Sequence, residues 1–276
     1  MPVRVPPRRS RVKRIVVMPS SIFLGEDRRL STFRLGLLAR YFAMFRVEEV
    51  LVFRDGGDLR FVVDVLRYAE VPQYLRRRLV PLKRTLRYVG VIPPLQAPHH
   101  PPPPGGRGFE SEFRDGVVLG AAGEWLMVDA GLREPLRVRG RARTGSRVTL
   151  RVRGEVELVD KSRVPYYWGY RVRVAESLGD ALDACSSCLR VATSRRGVDV
   201  RLVANRLVEE AEFKGAVALF FGTRDRGLYE IAGEEGLEVG EVFDMVLNFV
   251  PGQGVYTVRT EEAIPVALSI LNFLLE

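Results

Sequence analysis

The C-terminal stretch, Gly215 to Asn272, restricts the fold of this chain more than any other. Ala216 to Phe221 is continuously apolar, and Val246 to Val250 is interrupted only by Asn248. A strand apolar on both sides is buried on both faces, which is the situation inside a parallel sheet covered by helices. Each run stops at a turn of small residues, Gly222-Thr223 in one case and Pro251-Gly252-Gln253-Gly254 in the other. Each turn then leads into a helical pattern. The first is LYEIA after Gly227; the second is a stripe of Ile264, Leu268, Leu271 and Leu275. Thr260 reads as a capping hydroxyl, with Glu261 and Glu262 in the first turn facing the helix dipole. Parallel strands ending in glycine loops place backbone donors and acceptors at the carboxyl edge of a sheet, where open α/β sheets bind ligands.

The chain begins in the same way. RIVVMPSS (Arg14 to Ser21) and EVLVFR (Glu49 to Arg54) read as buried strands, and Leu30 to Phe45 and Leu59 to Tyr68 as helices. Strand and helix alternating through short loops make a parallel sheet. The pattern lapses between Val71 and Gly106, a stretch rich first in arginine and then in proline. Its run PPLQAPHHPPPP favours polyproline II and marks a boundary. From Phe113 to Asp160, short β-like pieces with turn residues between them point to a small antiparallel barrel. The α/β pattern returns with a strand at Tyr170 to Val174, a helix from Ser177, a strand from Cys188 ending in a Thr-Ser turn, and a helix at Asn205 to Phe213. The α/β domain is therefore split, residues 1–82 and 166–276, around an insertion at 83–165.

Charge points to the partner. The net charge is +9, and most of the 43 basic residues are arginine, with lysine only at Lys13, Lys83, Lys161 and Lys214. Such an excess suits a polyanion, because neutralised phosphates release counterions and the guanidinium fork matches phosphate geometry. Arg4, Arg8, Arg9, Arg11, Lys13 and Arg14 read as a mobile basic arm. In LRVRGRARTGSRVTLRVRG, period two places Arg137, Arg139, Arg141 and Arg143 on one solvent face, followed by Arg147, Arg151 and Arg153. The module resembles an OB-type barrel, whose basic groove binds single-stranded nucleic acid. No apolar run approaches the roughly 18–20 residues that span a bilayer. The basic N-terminus lacks the apolar stretch of a secretory signal, and two cysteines imply no disulfide framework, so a cytoplasmic location is expected. Cys185-Ser-Ser-Cys188 has no second pair to complete a zinc site, and His99-His100 has no acidic or cysteine partner nearby in sequence. No metal is expected.

Four segments carry a resemblance. MPSSIF near residue 18, PQYLRRRLVPLKRTLRYVGVIPPLQAPHHP at 72–101, FFGTRDRGL and NFVPGQGVYTVRTEEAIPVAL resemble, in the same order, the SPOUT superfamily of RNA methyltransferases. Within it they resemble the archaeal and eukaryotic group implicated in uridine N3 methylation. The resemblance covers nearly the whole chain. It implies a knotted, Rossmann-like parallel sheet whose C-terminal chain passes through a loop; nothing in composition or spacing shows a knot. It also implies a homodimer through the α/β domain, with the C-terminal helix at the interface, and ribosomal RNA as substrate.

The resemblance further implies S-adenosylmethionine held by three loops. These are Thr193 and Ser194 with Arg195; Phe221, Gly222 and Thr223; and the stretch from Asn248 through Val250, Pro251, Gly252, Gln253, Gly254 and Val255 to Val258. Glycine at 222, 252 and 254 permits close backbone approach, and Phe221, Val250 and Val255 are apolar groups fit to flank an adenine. The pattern is not a dinucleotide fingerprint, because Thr257 stands where the third glycine would be and no acid follows about 20 residues on. Uridine N3 carries a proton, so methylation there needs a base or an anion-stabilising cation. Arg259 is expected to hold a phosphate or a uracil oxygen and Glu261 to serve as base, against a purely structural place in the helix's first turn. Arg224 and Arg226 are expected to touch RNA or the methionine carboxylate. The alternative is a non-catalytic RNA-binding or ribosome-assembly factor that keeps the fold; cofactor binding separates the two.

Overall fold

A computed structural model describes residues 4–102 and 108–276. The first three residues of the expected basic arm, and Pro103 and Pro104 of the expected polyproline run, lie outside the described residues. In chain order the elements are β1 (Lys13–Pro19), α1 (Arg28–Met44), β2 (Glu49–Phe53), α2 (Leu59–Glu70), α3 (Arg76–Leu79), β3 (Phe113–Ala122), β4 (Trp125–Asp129), β5 (Leu136–Arg139), β6 (Arg147–Arg151), β7 (Glu157–Val159) and β8 (Arg171–Ala175). They continue with α4 (Leu178–Ala184), β9 (Leu189–Asp199), α5 (Ala204–Lys214), β10 (Ala216–Phe220), α6 (Leu228–Glu234), α7 (Val239–Val242), β11 (Met245–Asn248) and α8 (Thr260–Leu275). Six strands form one parallel sheet in the order β11-β9-β10-β1-β2-β8, and five form an antiparallel sheet in the order β5-β4-β3-β6-β7. Among the described residues no helix is long and apolar enough to cross a membrane.

The parallel sheet is covered on both faces, which is why its strands read as continuous apolar runs. Along β1, Val16 and Met18 enter one apolar layer with Leu38, Phe42, Leu66 and Leu268, under α1, α2, α5 and α8. Ile15 and Val17 enter the other, with Leu178, Leu182 and Ile231, under α4 and α6. In α8, Ile264, Leu268 and Leu271 are fully buried in the first layer. That stripe covers its own sheet and is not free for a second chain. The face of α8 left to solvent carries Val266 and Phe273, the latter 85% exposed.

Two expectations about segment boundaries change. Residues 4–12 form no free arm: Arg4 and Arg8 bridge to Phe109 and Tyr166, and the Tyr167 N–H donates to the Pro7 carbonyl. Arg9 donates to the carbonyls of Lys161 and Val164. Arg14 is buried and donates to the Phe45 carbonyl, the Asn272 side chain and Glu276; burial lowers its pKa to about 10. The arm is ordered because it fills the junction between the two sheets. The insertion also starts later than residue 83. Leu86, Leu95 and Ala97 pack in the same apolar layer as α1 and α2, so by packing the segment up to Ala97 goes with the α/β layer.

The antiparallel sheet curls until its edge strands β5 and β7 approach each other, around Val118, Leu126, Val128, Val138 and Leu150. The expected four-arginine ladder is shorter than period two suggests. Arg137 and Arg139 stand on exposed β5, opposite Met127 and Trp125, whereas β5 ends there and Arg141 and Arg143 belong to the following loop. Arg151 is exposed on β6 and pairs with Glu157.

Arg147, expected on the solvent face, is turned inward and pairs with Glu70 of α2 and Asp115 of β3. Thr149 and the Trp168 indole donate to the same Asp115, at 2.9 and 2.8 Å. His99 and His100 converge on the Glu70 carbonyl at 3.0 and 2.8 Å. Alternation sends a face to solvent only when nothing packs on it, and here α2 does. Burial pushes the Glu70 carboxyl up, but the Arg147 guanidinium outweighs it and holds that carboxyl well below the usual carboxylate range.

Replacing Arg147 by Met leaves two buried carboxylates without their cation. We expect a loss of about 3–5 kcal/mol, read by urea denaturation at neutral pH. The folded pKa of Glu70 is depressed, so its contribution is present above the ordinary carboxylate value and lost as pH falls through the folded value. The parent should therefore keep stability in mild acid that the variant lacks. Equal stability of the two proteins would show that the junction does not rest on this pair.

Candidate active site

The site starts from an irregularity in β9. Val246 of β11 pairs with Ala192, but its neighbour Leu247 pairs with Val198. Thr193 to Gly197 therefore bulge out of the sheet, and the expected Thr-Ser turn is an excursion from which the strand returns. Return depends on Gly197, where a Cβ would lie 2.6 Å from the Leu247 carbonyl carbon. The bulge forms one wall of a cavity of about 300 Å³; the loops after β10 and β11 and the first turns of α8 form the rest. That volume is at the small end of the range for ligand pockets.

The walls are held by hydrogen bonds to backbone. The Thr193 hydroxyl donates to the Phe220 carbonyl at 2.8 Å. The Asn248 amide donates to the Arg195 carbonyl at 3.2 Å, while its oxygen accepts the Val250 N–H at 2.9 Å. The Gln253 amide donates to the carbonyls of Val255 and Tyr256, at 2.8 and 3.1 Å. Thr260 is not the helix cap: Arg259 holds that position, with its N–H bonded to the Glu262 carboxylate at 2.9 Å. The Thr260 hydroxyl is instead spent on the Gly222 carbonyl at 2.6 Å, tying α8 to the loop after β10. Arg226 reaches the other way, to Asp55 at 3.0 Å and Glu234 at 2.7 Å.

Of the residues expected to hold a cofactor, Thr193, Ser194, Phe221, Gly222, Thr223, Asn248, Val250 and Gln253 line the cavity, as does Arg224. Pro251, Gly252, Gly254 and Val255 share the turn but do not line it. Gly252 has φ +70°, a left-handed conformation that favours glycine, and a Cβ there would meet no protein atom within 4 Å. Val255 is exposed and stands outside this lining. Gly222 is the constrained position: a Cβ would lie 2.8 Å from both the Arg226 carbonyl oxygen and the Gly227 Cα.

Arg259 and Glu261 also stand outside the lining. Glu261 lies 3.2 Å from Arg34, behind the first turn of α8, and burial pushes its carboxyl up. The lining contains residues that the sequence reading did not single out: Arg196, Tyr229, Glu230, Tyr256, Ala263 and Ala267. Arg195 sits 5.6 Å over the Tyr256 ring and Arg196 5.5 Å over Tyr229. Ala263 and Ala267 did carry a signal: small residues four apart share one helix face and let a ligand approach. Cys185 and Cys188 are buried and free. Among the described residues no group of three His, Cys, Asp or Glu could hold a metal ion.

These residues fit S-adenosylmethionine. Three stretches of backbone can read an adenine edge, Phe221 and Val250 supply apolar walls, and the alanines of α8 leave room. Arg195, Arg196 and Arg224 at the rim suit a carboxylate or a phosphate.

A parallel sheet split by an insertion, with its cavity at the loops after β9, β10 and β11, is the arrangement that the resemblance to the SPOUT methyltransferases implies. The chain belongs to the family described as "Putative RNA methyltransferase", whose family model matches residues 13–271. The human 28S rRNA (uridine-N(3))-methyltransferase is 31% identical, over 93% of this chain and 77% of its own length. An uncharacterized protein of Halobacterium salinarum is 35% identical, over 94% of this chain and 98% of its own. Among solved structures, the SpoU methyltransferase AviRb of Streptomyces viridochromogenes, in complex with AdoMet, aligns over 97% of this chain and 58% of its own, with 9% identity and a TM-score of 0.39.

Two glycine variants test the placement of the pocket. Gly222→Ala should weaken S-adenosylhomocysteine binding in calorimetry at least about tenfold, because backbone must move. Gly252→Ala should cost roughly 1–2 kcal/mol of stability through its left-handed φ, with cofactor affinity retained. Equal loss of affinity in both variants would sink this assignment.

Proposed function

We propose that this chain transfers the methyl group of S-adenosylmethionine to N3 of a uridine in ribosomal RNA. The observation that carries the proposal is the glycine-closed cavity with a cationic, aromatic mouth, in a chain 31% identical to the human 28S rRNA (uridine-N(3))-methyltransferase. When bound, the cofactor supplies an electrophilic methyl on a sulfonium. The protein's task is to place the acceptor in line and to handle the N3 proton. Tyr256, 87% exposed under Arg195, offers a stacking surface for the base, with the guanidinium beside it for a uracil oxygen or a phosphate. Two carboxylates line the cavity: Asp225 is paired with Arg224 at 2.9 Å, and Glu230, 3.4 Å from Arg196, is the one that takes the proton in this reading. Arg259 and Glu261 act one layer back, holding the helix start.

The inserted sheet supports RNA binding of an OB-type module. Its strand order and its meeting edge strands suit that barrel. Its outer face sets Arg137 4.2 Å over Trp125, with Arg139 and Met127 beside them. Aromatic and arginine side chains interleaved in this way bind single strands by stacking and charge. In the same reading residues 249–259 are the threaded segment of a trefoil knot, and the Asn248–Arg195 and Arg195–Tyr256 bonds fasten it against the β9 bulge. A homodimer is supported by the apolar groove between α1 and α8, lined by Tyr41, Met44, Phe45, Val266 and Ile270.

Labelled cofactor with total RNA, followed by nucleoside mass spectrometry, tests the reaction; 3-methyluridine is the expected product. Glu230→Gln should lower kcat by about 10²-fold or more with S-adenosylhomocysteine affinity unchanged. Absence of any S-adenosylhomocysteine binding would instead support a non-catalytic assembly factor. Light scattering should give the mass of two chains at micromolar concentration, and Phe273→Glu should shift it toward one.

A further inference from the structure

A second cavity is larger than the one at the cofactor loops. A cleft of about 860 Å³ opens between α2 and β8 of the α/β layer on one side and β6 and β7 of the insertion on the other. Cations line both walls: Arg67, Lys83 and Arg171 from the α/β layer and its following segment, Arg141, Arg147 and Lys161 from the insertion. The acids of the cleft do not balance them. Asp64 holds Lys83 at 2.6 Å, and Glu70 is engaged by Arg147 and His99. Asp160 accepts from the backbone and hydroxyl of Ser162, at 2.8 and 2.6 Å. Lys161 keeps only a 3.8 Å approach to the already engaged Glu70, and burial lowers its pKa. Arg67 donates to the Val172 carbonyl. Among the described residues, Arg141 and Arg171 have no carboxylate within ion-pair distance. Tyr68 adds an aromatic ring to the wall, with Arg76 held 4.4 Å over it.

We infer that this cleft is a second RNA site, which holds a single-stranded segment of the substrate by its phosphates, on Arg141, Lys161 and Arg171, with a base against Tyr68. It rests on the reading of this chain as an RNA methyltransferase. It is separate from the cofactor pocket, because β8 and β11 are opposite edges of the sheet. The cleft meets the amino end of β8, whereas the pocket follows the carboxyl ends of β9, β10 and β11. Strands β10 and β11 stand three and five strand spacings from β8, which at about 4.8 Å each puts the pocket roughly 14–24 Å from the cleft across the sheet alone. The cleft is separate from the outer face of the inserted sheet as well, since Trp125 and Arg137 do not line it. The Arg147 network explains why the cleft has a fixed width: it clamps α2 to β3 and β6 at the cleft's base.

The test is anisotropy of a labelled uridine 20-mer on the full chain, across a salt series. Arg141→Ala combined with Arg171→Ala removes two exposed cations, and melting curves control for the fold. Affinity at 0.1 M salt should fall about tenfold or more, and the slope of log K against log salt should shallow by about 0.7 for each lost phosphate contact. Unchanged affinity and slope in that variant, while Trp125→Ala with Arg137→Ala weakens binding, would overturn the cleft and leave the RNA reading standing. No binding of the 20-mer by the parent chain would overturn both. Uridine monophosphate competing as strongly as the 20-mer would make the cleft a site for a free nucleotide, and the inference would fail on that ground too.

Discussion

At two points around the pocket this molecule brings backbone against backbone more closely than a β-carbon permits, and the shape of the pocket depends on both. At Gly197 the returning strand β9 passes the backbone of Leu247 at the edge of the sheet. At Gly222 the loop after β10 folds onto Arg226 and Gly227. Each approach forces a stretch of chain out of regular structure, and the peptide groups so released have to be satisfied. The released groups are then taken up by side chains from other elements: Asn248 on the Arg195 carbonyl, Thr260 on the Gly222 carbonyl. A cavity wall made of backbone held in this way is stiff, and a stiff wall spends less binding energy on ordering itself around a ligand.

The second organising interaction is the cluster of Arg147, Glu70 and Asp115. A buried ion pair is weak evidence for stability, since desolvation offsets much of the attraction. Here its value is geometric. The arginine reaches from β6 of the insertion to the end of α2 and to β3, so its fork fixes two directions at once. Trp168 and Thr149 donate to the remaining Asp115 oxygen, and the two histidines converge on the Glu70 backbone carbonyl. Loss of one member leaves the others uncompensated, which makes the docked arrangement of the two sheets all-or-none.

Much of this was legible in the chain. The α/β strands were found within a few residues, because burial on both faces writes an unbroken apolar run. The three loops expected to hold the cofactor converge on one cavity, and most of the residues named for them line it. Where the structure places residues elsewhere, the reasons are identifiable. Pro251, Gly252, Gly254 and Val255 belong to the right turn, but which way a turn residue faces depends on tertiary context. Arg147 follows the same alternation as Arg137, and only the packing of α2 against β6 tells them apart. The order of residues 4–12 depends on pairing with residues 109 and 164–167, a long-range effect that composition does not record. Arg195 and Tyr256 are 61 residues apart, so their meeting leaves no local pattern.

The arrangement also separates affinity from chemistry. The cations of the insertion and the cleft lie toward one edge and the amino end of the parallel sheet, and the cofactor loops toward the other edge and the carboxyl end. Contacts so far from the reacting atoms do not change as the methyl moves, so they hold substrate and transition state alike. On the proposed function, such uniform binding lowers KM and leaves kcat to the groups at the mouth, Arg195, Arg196, Tyr256 and Glu230. Arginine-rich surface can therefore vary widely while the reaction stays the same. The reverse does not hold, because Gly197 and Gly222 admit no larger residue without moving the backbone that forms the pocket.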